Sequence, residues 1–128
     1  MRMKTSFAVL ISIASLCGYA ADPHKHAEAV PKNGGIVKEV DDVQYELVAR
    51  PDRLTLFVED HGKKVDTKSM SAKVTLRAGA DRTEVKLAPA GENKLEATGT
   101  FNVAPGTIAI AQVTRAGKGE QSVRFTLK

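Results

Sequence analysis

The sequence predicts an all-β protein: an antiparallel β-sandwich of seven to eight short strands, Ig-like in architecture, with a disordered N-terminal arm. From residue 43 onward apolar residues alternate with polar ones, as in strands with one buried and one wet face. Turn residues interrupt these runs at spacings of about 8 to 12 residues, which is typical of sandwiches and barrels. No segment has the i, i+3, i+4 spacing of an amphipathic helix. The Cys and Trp hallmarks of true immunoglobulin domains are missing, so the likeness is to the architecture only.

The first predicted strands lie between residues 36 and 60. Residues 36–40 form a first short strand. Residues 43–50 and 53–59 alternate clearly, and Pro51-Asp52 makes the turn between them. Asp60-His61-Gly62-Lys63 then predicts a hairpin loop, because glycine tolerates a positive φ.

The remaining strands are predicted at residues 72–78, 85–87, 95–101, 107–114 and 123–127. The first two of these form a hairpin around Gly79. Pro105-Gly106 breaks the chain before the fourth, which contains the uninterrupted apolar run 108–111. That run predicts a central strand covered on both faces.

The N-terminus has the three parts of a secretory signal, predicted over residues 1–20. Arg2 and Lys4 supply the positive region, residues 7–16 the apolar region, and Gly18-Tyr19-Ala20 the cleavage site. The apolar run is too short for a membrane span, so we expect a periplasmic protein with no membrane insertion after signal cleavage. Cys17 also invites a lipidation site, although Leu16 stands where such a site has a small residue.

After cleavage the chain has no cysteine, and its charges are nearly balanced. Without a disulfide, stability has to come from a packed core, and residues 34–128 are long enough for one β-sandwich domain. Removing Arg2 and Lys4 from the 19 basic residues leaves 17, against 15 acidic residues. The basic residues are scattered and have no interleaved aromatic side chains, so we expect no nucleic-acid partner.

Residues 21–33 are predicted to be a flexible arm that contains histidines. They hold two prolines and few large apolar residues, so burial does not offset their ordering entropy. His24 and His26 point to the same side of an extended chain and could share a copper or zinc ion, with His61 as a third ligand. Two ligands make a weak site. The alternative is that all three histidines are solvated polar residues.

The sequence predicts that the protein is not an enzyme. A nucleophilic mechanism needs an activated Ser, Cys or Lys beside an oriented base, and the chain shows no nucleophile elbow and no mature cysteine. Gly34-Gly35 is no phosphate loop, because neither the lysine nor the helix that cradles phosphates follows it.

The chain resembles a family of small exported proteobacterial proteins, similar to segments found near heavy-metal efflux systems. The segments that carry the resemblance are Pro31-Lys32-Asn33-Gly34-Gly35, Tyr45-Glu46-Leu47-Val48, Asp60-His61-Gly62-Lys63, Ala72-Lys73-Val74-Thr75-Leu76 and Pro89-Ala90-Gly91-Glu92-Asn93-Lys94-Leu95. The resemblance implies a periplasmic, metal-related role. Members often have His-Gly-Gly where this chain has Asn33-Gly34-Gly35, which leaves metal binding to His24, His26 and His61.

These observations predict a non-enzymatic accessory protein that takes part in metal binding or heavy-metal resistance. It would bind copper or zinc weakly and hand the ion to a periplasmic efflux or resistance component. The alternative is a protein-interaction module that docks its partner through a strand edge and has no metal role.

Overall fold

The computed structural model describes residues 30–128, and the regular structure in this range consists of nine β-strands. The strands are β1 (Ile36–Val40), β2 (Val43–Arg50), β3 (Arg53–Asp60), β4 (Lys63–Lys64), β5 (Met70–Ala78), β6 (Asp81–Pro89), β7 (Lys94–Thr98), β8 (Ile108–Arg115) and β9 (Gly119–Thr126). No helix in residues 30–128 is long and apolar enough to cross a membrane. The predicted signal peptide, His24 and His26 lie outside the described residues.

The strands are joined into one hydrogen-bonded path in the order β1-β2-β3-β7-β6-β5-β8-β9, with β4 on β3. Every pairing is antiparallel. The sheet curls until β1 and β9, at the two ends of the path, lie close to each other, so that it nearly closes into a barrel. The predicted all-β, antiparallel class is therefore confirmed.

The core fills the inside of the curled sheet with alternate side chains of its strands. In β2 these are Val43, Tyr45 and Leu47, as the period-2 pattern predicts. The largest fully buried side chain is that of Phe125 in β9. Burying an aliphatic or aromatic side chain of this size contributes roughly 1.5–3 kcal/mol, and this burial is what holds a chain without disulfides together.

Two tight turns lie at the same end of neighbouring hairpins. Asp41 and Asp42 connect β1 to β2 with φ of 51° and 64°, and His61 and Gly62 connect β3 to β4 with φ of 50° and 79°. Positive φ at both central residues is the type I′ geometry that suits the twist of a two-residue hairpin. Because Val43 pairs with Asp60, the two turns are next to each other.

The structure differs from the sequence prediction at several strands. The additional strand is β4, which has two residues and whose sequence shows no alternation. β6 runs for nine residues instead of three, because its first four residues are exposed on both faces and so lack an apolar signal. β8 lies between β5 and β9, as expected of a central strand. Its predicted burial on both faces is wrong, since Ala109 and Ala111 are buried whereas Ile108 and Ile110 are only half-buried.

Candidate functional site

His61 occupies an exposed turn and is oriented by its neighbours. Its backbone N–H donates to the carbonyl oxygen of Asp42 at 3.0 Å, which ties the β3–β4 turn to the β1–β2 turn. The side chain is 71% exposed, so the imidazole is open to solutes. Of the three histidines predicted as ligands, His61 is the one that lies in the described part of the chain.

Asp60 links His61 to the opposite side of the sheet. One carboxylate oxygen is hydrogen-bonded to Nδ1 of His61, and the other accepts a hydrogen bond from Nη1 of Arg115 at 3.1 Å. The bonds from His61 and from Arg115 hold the pKa of Asp60 below its usual value of 3.8. Asp60 is therefore an anionic link that holds the Nδ1 edge of the imidazole in place.

The other imidazole nitrogen of His61 faces a second carboxylate. Nε2 lies 3.6 Å from Oδ2 of Asp42. With Nδ1 bonded to Asp60, Nε2 is the nitrogen left to coordinate a metal, and a carboxylate on the far nitrogen is the usual support of a ligating histidine. Residues 30–128 nevertheless contain no group of three His, Cys, Asp or Glu side chains able to hold an ion by themselves.

Tyr45 lies beneath this cluster and is only 2% exposed. Burial raises the pKa of its phenol above 10.0; the nearby Arg115 opposes the shift, and Asp60 and Asp41 add to it. The phenol therefore stays protonated at neutral pH. Its chemistry is that of a neutral hydrogen-bonding group and not of a base.

The last residues of the predicted arm are held by Glu46. This carboxylate, on a residue only 6% exposed, accepts hydrogen bonds from the backbone N–H groups of Lys32 at 2.9 Å, Asn33 at 2.8 Å and Gly35 at 2.9 Å. The side-chain amide of Asn33 donates a fourth, at 3.2 Å. Three converging N–H groups form a concave anion site, and here the anion is part of the chain itself.

A shallow depression, open to solvent, lies beside this contact on the outer face of β1, β2 and β3. Its lining residues are Val30, Lys32, Asn33, Val37, Gln44, Glu46, Phe57 and Glu59. Lys32 reaches across it, and its Nζ contacts Glu59 at 2.9 Å. Gly35 lies against Leu47 and Glu46, and the side chain of Lys32, three residues earlier, reaches Glu59. This order of contacts runs along the sheet in the direction of the His61 turn.

Comparisons with protein-family models, curated proteins and solved structures give no match.

Sequence reasoning found part of this site. It selected His61, whose imidazole is in contact with the carboxylate of the preceding residue, Asp60. It did not select Asp42, Arg115 or Glu46. Asp42 had a signal, since two aspartates between two predicted strands are typical of a tight turn. Arg115 lies 55 residues from Asp60 in the sequence, and no local pattern predicts that contact.

Proposed function

We propose that this chain is a periplasmic, non-enzymatic accessory protein of metal binding or heavy-metal resistance that binds copper or zinc weakly through His24, His26 and His61. The observation that carries the proposal is the geometry of His61. Its Nδ1 is fixed by Asp60, and its Nε2 is exposed beside the Asp42 carboxylate.

The separation of those two groups suits a shared ion. Zinc bonds to nitrogen and oxygen at about 2.0–2.2 Å, so two ligands of one tetrahedral ion lie roughly 3.3–3.5 Å apart. Nε2 of His61 and Oδ2 of Asp42 are 3.6 Å apart. A small adjustment of exposed side chains would bring both onto one ion, and the remaining positions need ligands from elsewhere.

The arm is long enough to supply them. Val30 lines the depression together with Glu59, and His61 follows Glu59 by two residues, about 7 Å of extended chain. His26 precedes Val30 by four residues, which span up to roughly 14 Å. His26, and His24 beyond it, are therefore within reach of His61. Such a site assembles only as the ion binds, so the ordering cost keeps its affinity low.

The cellular setting of the proposal comes from the sequence. The secretory signal over residues 1–20 supports export to the periplasm, and the resemblance to exported proteins near efflux systems supports an efflux or resistance component as the recipient of the ion. Neither a nucleic-acid partner nor membrane insertion after cleavage belongs to this proposal. The strands form one continuous hydrogen-bonded path, and the Ig-like sandwich stays a prediction about the detailed arrangement of that sheet.

Isothermal calorimetry of the chain from residue 21 with Cu²⁺ and with Zn²⁺ tests the proposal. We expect the His24→Ala/His26→Ala variant and the His61→Ala variant each to weaken binding at least tenfold, which corresponds to about 1.4 kcal/mol. Lys25→Ala, between the arm histidines, is the matched control and should bind like the wild type. Absence of binding heat, or equal heat from all four proteins, would exclude the proposed site.

A strand-edge interaction module is the second candidate, and the pairing of β6 favours it. Residues 81–87 pair with β5 on one side, and no strand of the described chain pairs with them on the other. An unpaired edge can accept an extended segment through backbone hydrogen bonds. Removing residues 21–29 separates the candidates: partner capture in a pull-down survives if the edge of β6 binds, and metal binding is lost if the arm does.

A further inference from the structure

We propose that the open edge of β6 pairs with β6 of a second copy of this chain, which forms a symmetric dimer. The inference builds on the strand-edge candidate by naming its occupant, and it is independent of metal binding. The backbone pairing of β6 with β7 is limited to Ala88 and Pro89. Within residues 30–128, the backbone edge of residues 81–87 therefore has no partner strand over a length of seven residues.

The edge also protrudes from the curled sheet. Residues 79–84, which include the turn between β5 and β6, are all exposed. On the β7 side, the N–H of Ala90 donates to the carbonyl oxygen of Lys94. Because backbone groups alternate along a strand, the N–H and C=O groups of Arg82, Glu84 and Lys86 point to that same side. These groups are accessible to another strand.

The order of charges along this edge selects a partner of the same sequence. Arg82, Glu84 and Lys86 share the outer face and are all exposed. A two-fold axis through Thr83, perpendicular to the sheet, places Arg82 of each copy opposite Glu84 of the other and sets the two threonines against each other. Opposite charges and threonine pairs are both favourable cross-strand neighbours.

Other registers suit the edge less well. An axis through Glu84 sets that carboxylate against its own copy and Arg82 against Lys86, so that every charged pair is repulsive. An axis through Val85 makes Glu84 face Lys86 but brings the partner's residues 81 and 82 against Pro89 and Ala88, where β7 already occupies the edge. The register through Thr83 is thus the one that satisfies both charge and space.

Charges on an edge strand normally discourage pairing. Here the charges disfavour the wrong registers. Within one chain, the carboxylate of Glu84 already lies 3.4 Å from Nη2 of Arg82 and 4.0 Å from Nζ of Lys73. In the dimer each Glu84 gains a second arginine. A two-fold contact uses the same patch on both copies, so it closes at two chains and does not continue into a fibre. The contact is small, and we expect weak association.

Charge reversal, read by sedimentation equilibrium over a range of concentrations up to about 1 mM, tests the dimer. Arg82→Glu alone and Glu84→Arg alone place like charges in both cross-strand pairs, and each should weaken dimerisation roughly tenfold or more. An equimolar mixture of the two variants restores opposite charges and should associate within about threefold of the wild type. The double variant Arg82→Glu/Glu84→Arg should do the same. Lys118→Glu, in the turn between β8 and β9, is the control for net charge.

Rescue in the mixture separates this contact from damage to the fold, because a misfolded variant is not repaired by another one. A wild-type chain that stays monomeric, or single variants that dimerise as well as the wild type, would overturn the inference. A wild-type chain that is monomeric but still captures another protein would overturn the dimer and would leave the strand-edge interaction role supported. Mixtures that fail to associate although each variant keeps its circular dichroism spectrum would also overturn it.

Discussion

Asn33 and Glu46 are joined by two hydrogen bonds, one from the backbone N–H at 2.8 Å and one from the side-chain amide at 3.2 Å. The same carboxylate holds the N–H groups of Lys32 and Gly35. The side chain of Asn33 therefore anchors the start of the sheet to Glu46. The contact determines where the predicted arm leaves the folded body.

Replacing Glu46 with alanine should lower the free energy of unfolding by about 2 kcal/mol, because three backbone N–H groups would lose a charged acceptor. Urea unfolding followed by circular dichroism measures the change. Glu39→Ala removes an exposed carboxylate from β1 and is the matched control. If both variants lose the same stability, Glu46 does not hold the segment in solution.

Gly35→Ala should be more damaging than Gly34→Ala. A Cβ at residue 35 would collide with the backbone carbonyl oxygen of Leu47, so the backbone has to shift, at a cost of about 3 kcal/mol. Residue 34 has a φ of 76° but open space around it, and alanine there costs about 1 kcal/mol for the left-handed conformation. Thermal unfolding of both variants gives the comparison. The reverse order would show that the β1–β2 contact relaxes easily.

Asp60 should make part of the stability depend on pH in acid. Its pKa in the folded protein is held below 3.8 by His61 and Arg115, so the unfolded chain takes up the proton first as pH falls. The stabilisation is complete well above pH 3.8 and is lost as pH falls below it through the lower folded value. Urea midpoints between pH 6 and pH 2.5 should decline less steeply in Asp60→Asn than in the wild type.

Asp81→Asn is the control for that experiment, since it removes a carboxylate at the exposed start of β6, away from His61 and Arg115. We expect it to keep the acid decline of the wild type. An Asp60→Asn curve that runs parallel to the wild type across the whole range would contradict the assigned role of Asp60.

Zinc should stabilise the folded chain if His61 is a ligand. An ion that binds only the folded state raises the free energy of unfolding by about 2.7 kcal/mol at 100 times its dissociation constant. A chelator should remove that increment from the wild type, whereas His61→Ala, if it binds tenfold more weakly, should gain at most about 1.4 kcal/mol at the same zinc concentration. Thermal melts with zinc, with zinc plus chelator and without either provide the test. Equal increments in both proteins would place the ion elsewhere.

Much of the fold is readable from local pattern. The alternation in residues 43–50 and 53–59 predicts both the strands and their buried faces, because a strand with one wet face repeats every two residues. The turn at His61-Gly62 follows from the φ that glycine tolerates. The start of β6 escaped prediction because its residues are exposed on both faces and carry no such repeat.

The candidate site was predictable only in part. Residue type alone draws attention to His61 as a metal ligand, and its contact with Asp60 joins two neighbours in the chain. Glu46 lies on the outer face of a strand, where a glutamate ordinarily meets solvent. Its burial results from the segment of residues 32–35 that folds over it.

The sequence by itself determined the antiparallel β class, the inward-facing residues of the main strands and the sharp turns, since each depends on residues close together in the chain. Only the tertiary structure decided that Asp42 meets His61, that Arg115 reaches Asp60 across 55 residues, and that β6 has one edge unpaired by any strand of the described residues. These contacts depend on how the whole sheet curls. The same set of local strand patterns is compatible with many strand orders, and the packing of one shared core selects one of these orders.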